Sequence, residues 1–158
     1  MKSELLNSFR LDLATLRELI EPIPDSDMAV QPPGLNKHAA WTLGHLTHSM
    51  RAIGEELGIP NWLPADWGDR FGQGSTPSPT RDHYPSKSEL AETFDDAASR
   101  IVARLEDMTP SEFDADLPDA RHRERYPTIG HAAVHILASH FALHMGQLSC
   151  WRRAREIN

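Results

Sequence analysis

The sequence predicts an all-α protein, a four-helix bundle with a long loop between its second and third helices. Three observations carry that reading. The twelve prolines leave four long windows free of proline, the natural sites for uninterrupted helices. Inside those windows apolar residues recur at three- and four-residue steps. No window alternates with the two-residue period of a half-buried strand, so four amphipathic rods must bury their stripes against one another.

The first window, Met1 to Glu21, carries Phe9, Leu13, Leu16 and Ile20 at helical spacing. The second, Gly34 to Ile59, has a stripe centred on Leu43, Leu46, Met50, Ile53 and Leu57. The third, Ser86 to Thr109, opens with Ser86-Lys87-Ser88-Glu89, a capping-box pattern, ahead of Leu90, Phe94, Ile101, Leu105 and Met108. The fourth, Thr128 to Asn158, starts with Thr128 after Pro127 as an expected N-cap and continues through Ala133, Leu137, Leu148 and Trp151. Between the second and third helices, Gly58 to Pro85 places Trp62, Trp67, Phe71 and Tyr84 among Pro, Gly and Ser. A loop that long and that aromatic is a packed cap or part of a binding site; bulky aromatics favour the cap.

A chain of 158 residues is the size of one domain, so residues 1–158 are read as a single unit. The net charge of −7 repels phosphate backbones and argues against nucleic acid as a partner. The basic run Arg152, Arg153 and Arg155 then reads as complementing the negative end of the last helix. With Cys150 alone, no intramolecular disulfide can form. The opening Met1-Lys2-Ser3-Glu4 lacks the apolar run of a secretion signal, and no stretch is long enough to span a membrane. A cytoplasmic protein is the expectation.

The chemistry-bearing feature is His140-Phe-Ala-Leu-His144, two imidazoles one helical turn apart within an apolar stripe. Rings at i and i+4 stand one above the other and can reach one ion. Nine histidines in 158 residues give roughly half such a pair by chance, and the same helix offers a rival in His131 and His135. At about 100° per residue, His140 and His144 fall with Ala133, Ile136, Leu137, Leu148 and Trp151. The rival pair falls on the opposite side, with Ala138, Ala142, Gly146 and Ser149, where small residues suit a dimer contact or a solvated face. Phe141 stands where a zinc protease carries its Glu base, so peptide hydrolysis by that route is not supported. A third ligand must come from elsewhere. In the second helix, His45 lies on the flank of the apolar stripe and His48 nearly opposite it; pattern leans towards His45, with His48 read as surface. His38, His83 and His122 read as exposed, and Cys150 as an inert thiol facing away from the His140/His144 direction.

Two blocks together resemble a known family. Asn36 to Leu46, ending in Trp-Thr-Leu-Gly-His-Leu, is similar to the second-helix signature of the DinB-like superfamily, the YfiT-type metal-binding bundles. Pro127-Thr128-Ile129-Gly130, followed by His140-x-x-x-His144-Met145-Gly146-Gln147-Leu148, resembles its fourth-helix signature. The resemblance covers essentially the whole chain. It implies a four-helix bundle, often dimeric, with a divalent metal ion on three histidines, which here are His45, His140 and His144. Met145 stands where relatives commonly carry Arg, and Leu143 where they carry a further His, so the rim of the site differs. Gln147 matches the family's Gln, either supporting the ligands or simply packing.

Three neutral imidazoles suit Zn²⁺ or Ni²⁺ better than Ca²⁺ or Mg²⁺, and leave a position open to water or substrate. Characterised relatives include transferases and an isomerase that use low-molecular-weight thiols such as mycothiol or bacillithiol. By that analogy the expected function is a metal-dependent thiol S-transferase acting on small electrophiles. The alternatives are a metal-dependent hydrolase and a non-catalytic metal-binding stress-response protein. Arg70, Arg81 and Arg121 are possible anchors for an acidic substrate group, with solvated surface side chains as the plainer reading.

Overall fold

The structure, a computed structural model, describes residues 1–157. The helices are α1 (Lys2–Ile20), α2 (Ala39–Glu56), a short α3 (Trp67–Phe71), α4 (Lys87–Asp107), a short α5 (Pro110–Phe113), α6 (Ile129–Val134) and α7 (Phe141–Ala154). A π-helical segment, His135–His140, joins α6 to α7, so the three run as one rod. With α1, α2 and α4 this rod makes the expected four-helix bundle. No strand is present among the described residues.

Three of the four rods begin where a side chain satisfies one of the first free backbone N–H groups, and α1 begins without such a cap. Ser86 and Glu89 close a reciprocal capping box at the start of α4. Thr128 accepts from the His131 backbone N–H at the start of α6. The cap of α2 was not expected: His38 Nδ1 accepts from the Trp41 N–H at 3.2 Å. Thr109 and Glu112 form a second capping box around Pro110, giving the extra turn of α5.

The stripes meet as the spacing requires. Phe9, Leu13 and Leu16 of α1, Leu46, Met50 and Ile53 of α2, Leu90, Phe94 and Ile101 of α4, and Leu137, Phe141, Leu148 and Trp151 of the last rod are all buried. Phe141 meets Phe9 edge-on, with ring centroids 5.2 Å apart. Burying a side chain of this size stabilises by about 1.5–3 kcal/mol, so Phe141 works as core. At the carboxyl end, Arg155 pairs with Asp27 at 2.8 Å, Arg152 donates to the Glu18 carbonyl, and Trp151 Nε1 donates to the Val30 carbonyl at 2.8 Å. The terminal arginines thus clamp the last rod onto α1 and the segment after it, beyond complementing the helix dipole.

The long loop between α2 and α4 is packed, as its aromatics predicted. Trp67 and Phe71 are buried against α2, and Trp67 Nε1 donates to the Gly44 carbonyl at 3.0 Å. Gly44 makes this possible: a Cβ there would stand 2.3 Å from the Phe71 ring. Arg81 anchors the loop's far end, with Asp25 at 2.6 Å and the Pro85 carbonyl at 2.9 Å.

The π-helical segment changes the faces of the last rod. Its i→i+5 bonding widens the turn, so residues five apart stand roughly one above another. His135 is thereby brought round towards His140, where a straight α-helix would have put it on the far side. The expected opposition of the two histidine pairs therefore holds for His131, which is exposed, and not for His135, which is half-buried. Ile136 is only half-buried for the same reason, while Met145 joins the core.

Candidate metal centre

His45, from the middle of α2, and His140 and His144, from the junction of the π segment with α7, converge at the floor of one cavity. Their ligand-capable nitrogens all lie within 4.8 Å of one another. His140 Nε2 is 3.1 Å from His45 Nε2 and 3.1 Å from His144 Nε2. His45 and His144 are buried and His140 is half-buried.

Orientation comes from neighbours. His45 Nδ1 lies 2.7 Å from the Phe71 carbonyl oxygen, which can only accept, so the proton of this ring sits on Nδ1 and Nε2 carries a lone pair. The indole of Trp41 stacks on the His45 ring, centroids 4.5 Å apart and planes 10° from parallel. Trp41 is itself held by Nε1 donating to Ser75 Oγ at 2.9 Å. The loop read as a cap is therefore also part of the site, through Phe71 and Ser75.

The nitrogens fit a shared cation better than they fit one another. A neutral ring nitrogen has either one proton or one lone pair. With His45 Nε2 bare, a proton on His140 Nε2 serves only one of its two 3.1 Å contacts, and a proton on His144 Nε2 leaves the His45–His140 contact as two facing lone pairs. No choice of tautomers satisfies both contacts. Nitrogens about 2.0–2.1 Å from a common ion stand roughly 2.9–3.4 Å apart across octahedral and tetrahedral angles, which brackets the two spacings to His140 Nε2. The rings are also kept in the ligating form. Burial lowers the pKa of His45 below that of an exposed imidazole, holds His140 near about 4 and His144 near about 3, and the positive charge of Lys37 pushes all three the same way. Gln147 lies close enough to His144 to favour its charged form slightly, yet Gln147 Oε1 and His144 Nδ1 both remain without a hydrogen-bond partner.

The cavity above the trio measures about 970 Å³ and is bounded by α2, the loop, the segment 117–126 and the last rod. Its wall includes His48 and His135, neither of which joins the trio. His48 was expected at the surface; instead the loop covers it, with Gly68 and Gly72 against its ring and its Nδ1 buried without a partner. His38, expected to be exposed, is wholly buried: as Nδ1 caps α2, Nε2 donates to the Ser78 carbonyl at 2.9 Å. His83 and His122 are exposed, as expected. Arg70, Arg81 and Arg121 are each committed to a carboxylate, Asp66, Asp25 and Asp119 respectively, so none stands free as an anchor. Cys150 is exposed, with Arg153 donating to its sulfur.

A tri-histidine cluster at the floor of a cavity within a four-helix bundle defines a class of protein able to hold one metal ion and to leave room for a second ligand. The sequence profile of the DinB superfamily matches residues 8–148, and the chain belongs to that superfamily. No curated protein matches the chain.

Proposed function

We propose that His45, His140 and His144 ligate one Zn²⁺ or Ni²⁺ ion and that the protein is a thiol-dependent S-transferase acting on small electrophiles. The observation that carries this reading is the convergence of three neutral imidazoles, with His45 Nε2 and His144 Nε2 each 3.1 Å from His140 Nε2, beneath a cavity of about 970 Å³. Zn²⁺ or Ni²⁺, when bound, supplies the Lewis acidity that lowers the pKa of a thiol. The protein's own residues do the rest. Phe71 and Trp41 fix the His45 ring, and the cavity walls hold thiol and electrophile together. The thiol proton leaves to solvent through the open mouth. A sulfur–carbon bond forms as the bond from that carbon to its leaving group breaks, and the leaving group departs with the electron pair. Of the carboxylates on the cavity wall, Glu55 and Asp119 are paired with Arg51 and Arg121 and Glu56 accepts from the Asp119 backbone N–H, which disfavours a carboxylate base and with it a hydrolase that uses one.

The ligand set is tested by elemental analysis of freshly purified protein beside the His45/His140/His144 triple alanine variant; one ion per chain in the first and none in the second is the expected result. Conjugation is then assayed with glutathione, mycothiol, bacillithiol and coenzyme A against a panel of alkyl halides and epoxides. Metal-loaded protein inactive with all of them overturns the transferase. We further read the chain as a cytoplasmic homodimer, supported by its single cysteine and by Leu143, 58% exposed on α7 beside Ala142 and Gly146; light scattering tests the dimer.

A further inference from the structure

Two of the cations that line the cavity have no hydrogen-bond or ion-pair partner among the described residues. Of the sixteen Lys and Arg side chains, only Lys37 and Arg125 make neither a hydrogen bond nor an ion pair among the described residues. Both line the cavity above the three histidines. This is unusual in a chain of net charge −7, where carboxylates outnumber cations and most arginines find one. The acidic residues of the same wall are occupied: Glu55 with Arg51, Asp119 with Arg121, and Glu56 accepting from the Asp119 backbone N–H at 3.1 Å.

The two free cations differ in setting. Arg125 is exposed, its guanidinium over Tyr126, so water screens it. Lys37 is half-buried, and its ammonium lies 4.8 Å from the centre of the Trp41 ring. The same indole stacks on His45, so the ammonium and the metal site share one aromatic neighbour. Burial lowers the Lys37 pKa, and no partner offsets that cost. A cation–π contact at a partly exposed site is weak. It positions the ammonium without neutralising it.

The geometry points to Lys37 as the anchor for a carboxylate on the ligand of the metal site, so that the substrate class is a carboxylate-bearing thiol rather than a neutral one. This rests on the thiol reading above for the identity of the reacting group, and on Lys37 alone for the charge. Lys37, Trp41 and the three histidines line the same cavity, so an anion on the ammonium and a sulfur on the Nε2 atoms belong to one ligand. Arg125, at the mouth, attracts the same ligand at longer range and with a smaller effect.

The experiment uses the full-length protein loaded with Co²⁺, in wild-type, Lys37→Gln, Lys37→Arg and Arg125→Gln forms of equal cobalt content. Each is titrated with mercaptoacetate, 2-mercaptoethanol and propionate, followed by calorimetry and by the sulfur-to-cobalt charge-transfer absorption. Wild type is expected to bind mercaptoacetate roughly tenfold more tightly than 2-mercaptoethanol. Lys37→Gln should erase that preference, Lys37→Arg should keep most of it, and Arg125→Gln should change it about twofold or less. A preference untouched by Lys37→Gln overturns the assignment, and the charge-transfer band then still supports the thiol reading. Propionate binding that depends on Lys37, with no band from either thiol, sinks the thiol reading and leaves the carboxylate anchor standing.

Discussion

His38 and His140 are both withdrawn from water, and burial holds both near a pKa of about 4, yet they serve the protein in opposite ways. His38 is closed. One ring nitrogen accepts from the Trp41 N–H that begins α2, the other donates to the Ser78 carbonyl, and Tyr84 packs edge-on against it. His140 is open: its Nε2 faces two other imidazole nitrogens that cannot both be satisfied, and its Nδ1 has no partner. Burial and a lowered pKa do not separate a structural histidine from a candidate ligand. The accounting of its two nitrogens does.

Acid is the harshest way to break that comparison, because without an ion both histidines respond alike. For His38 the folded pKa, about 4, lies below the ordinary value of 6.5, so the unfolded chain takes up the proton first as pH falls. Stability is therefore complete above about pH 6.5 and is lost as pH falls through about 4. His140 and His144, at about 4 and about 3, add losses of the same sign over the same window. The melting temperature of chelator-treated protein should fall steeply between pH 6.5 and 4. Zinc-loaded protein should melt higher at neutral pH and converge on the metal-free curve in acid, as protons displace the ion. A profile flat down to pH 4.5 contradicts the burial of these rings.

Alanine substitution then separates the two. If a structural zinc gains about 10–16 kcal/mol from four ligands, one imidazole is worth roughly 3 kcal/mol, so His140→Ala should weaken Zn²⁺ at least a hundredfold in a chelator competition. Its metal-free melting temperature should change less, since its Nδ1 has no partner and only one of its two Nε2 contacts can be made. His38→Ala should do the reverse. Losing the cap costs about 1 kcal/mol and leaving the Ser78 carbonyl unpaired about as much again, for a fall of roughly 4–8 °C with metal content unchanged. Equal loss of metal in both variants would erase the distinction.

Much of this was legible in the sequence, and the gaps have physical causes. Proline-free windows and stripe spacing are local properties, so the four rods and the caps at Ser86 and Thr128 could be read directly. The trio drew on the family resemblance for its third member, because α2 is buried nearly all round and its apolar stripe could not rank His45 firmly above His48. The burial of His38 and the half-burial of His48 were hidden because both lie under the long loop, and a loop's path is set by tertiary packing. The turn of His135 towards the site was hidden because reading at 100° per residue assumes an α-helix, and the π segment departs from it. Lys37 left no signal: an unpaired cation is recognised only after every carboxylate has been assigned.

The smallest expected effect probes how the loop serves the open histidine site, and it sets two glycines against each other. Gly44 and Gly146 both sit inside helices, where Ala is favoured over Gly by about 1 kcal/mol. At Gly146 a Cβ meets nothing within 4 Å, so Gly146→Ala should stabilise by about that amount. At Gly44 the Cβ would lie 2.3 Å from two carbons of Phe71, a fully buried ring packed on Trp67 and Tyr84. Overpacking of this kind costs about 1–3 kcal/mol, so the helix gain is cancelled or exceeded and Gly44→Ala should melt roughly 0–8 °C lower. The more telling readout is the metal. Moving Phe71 moves the carbonyl that holds the proton of His45, and loss of such a supporting contact typically weakens a metal site by about 10–100-fold. Weaker Zn²⁺ binding in Gly44→Ala, with Gly146→Ala unaffected, would tie the loop to the site through Phe71. Unchanged affinity in both would mean that the loop only covers the bundle.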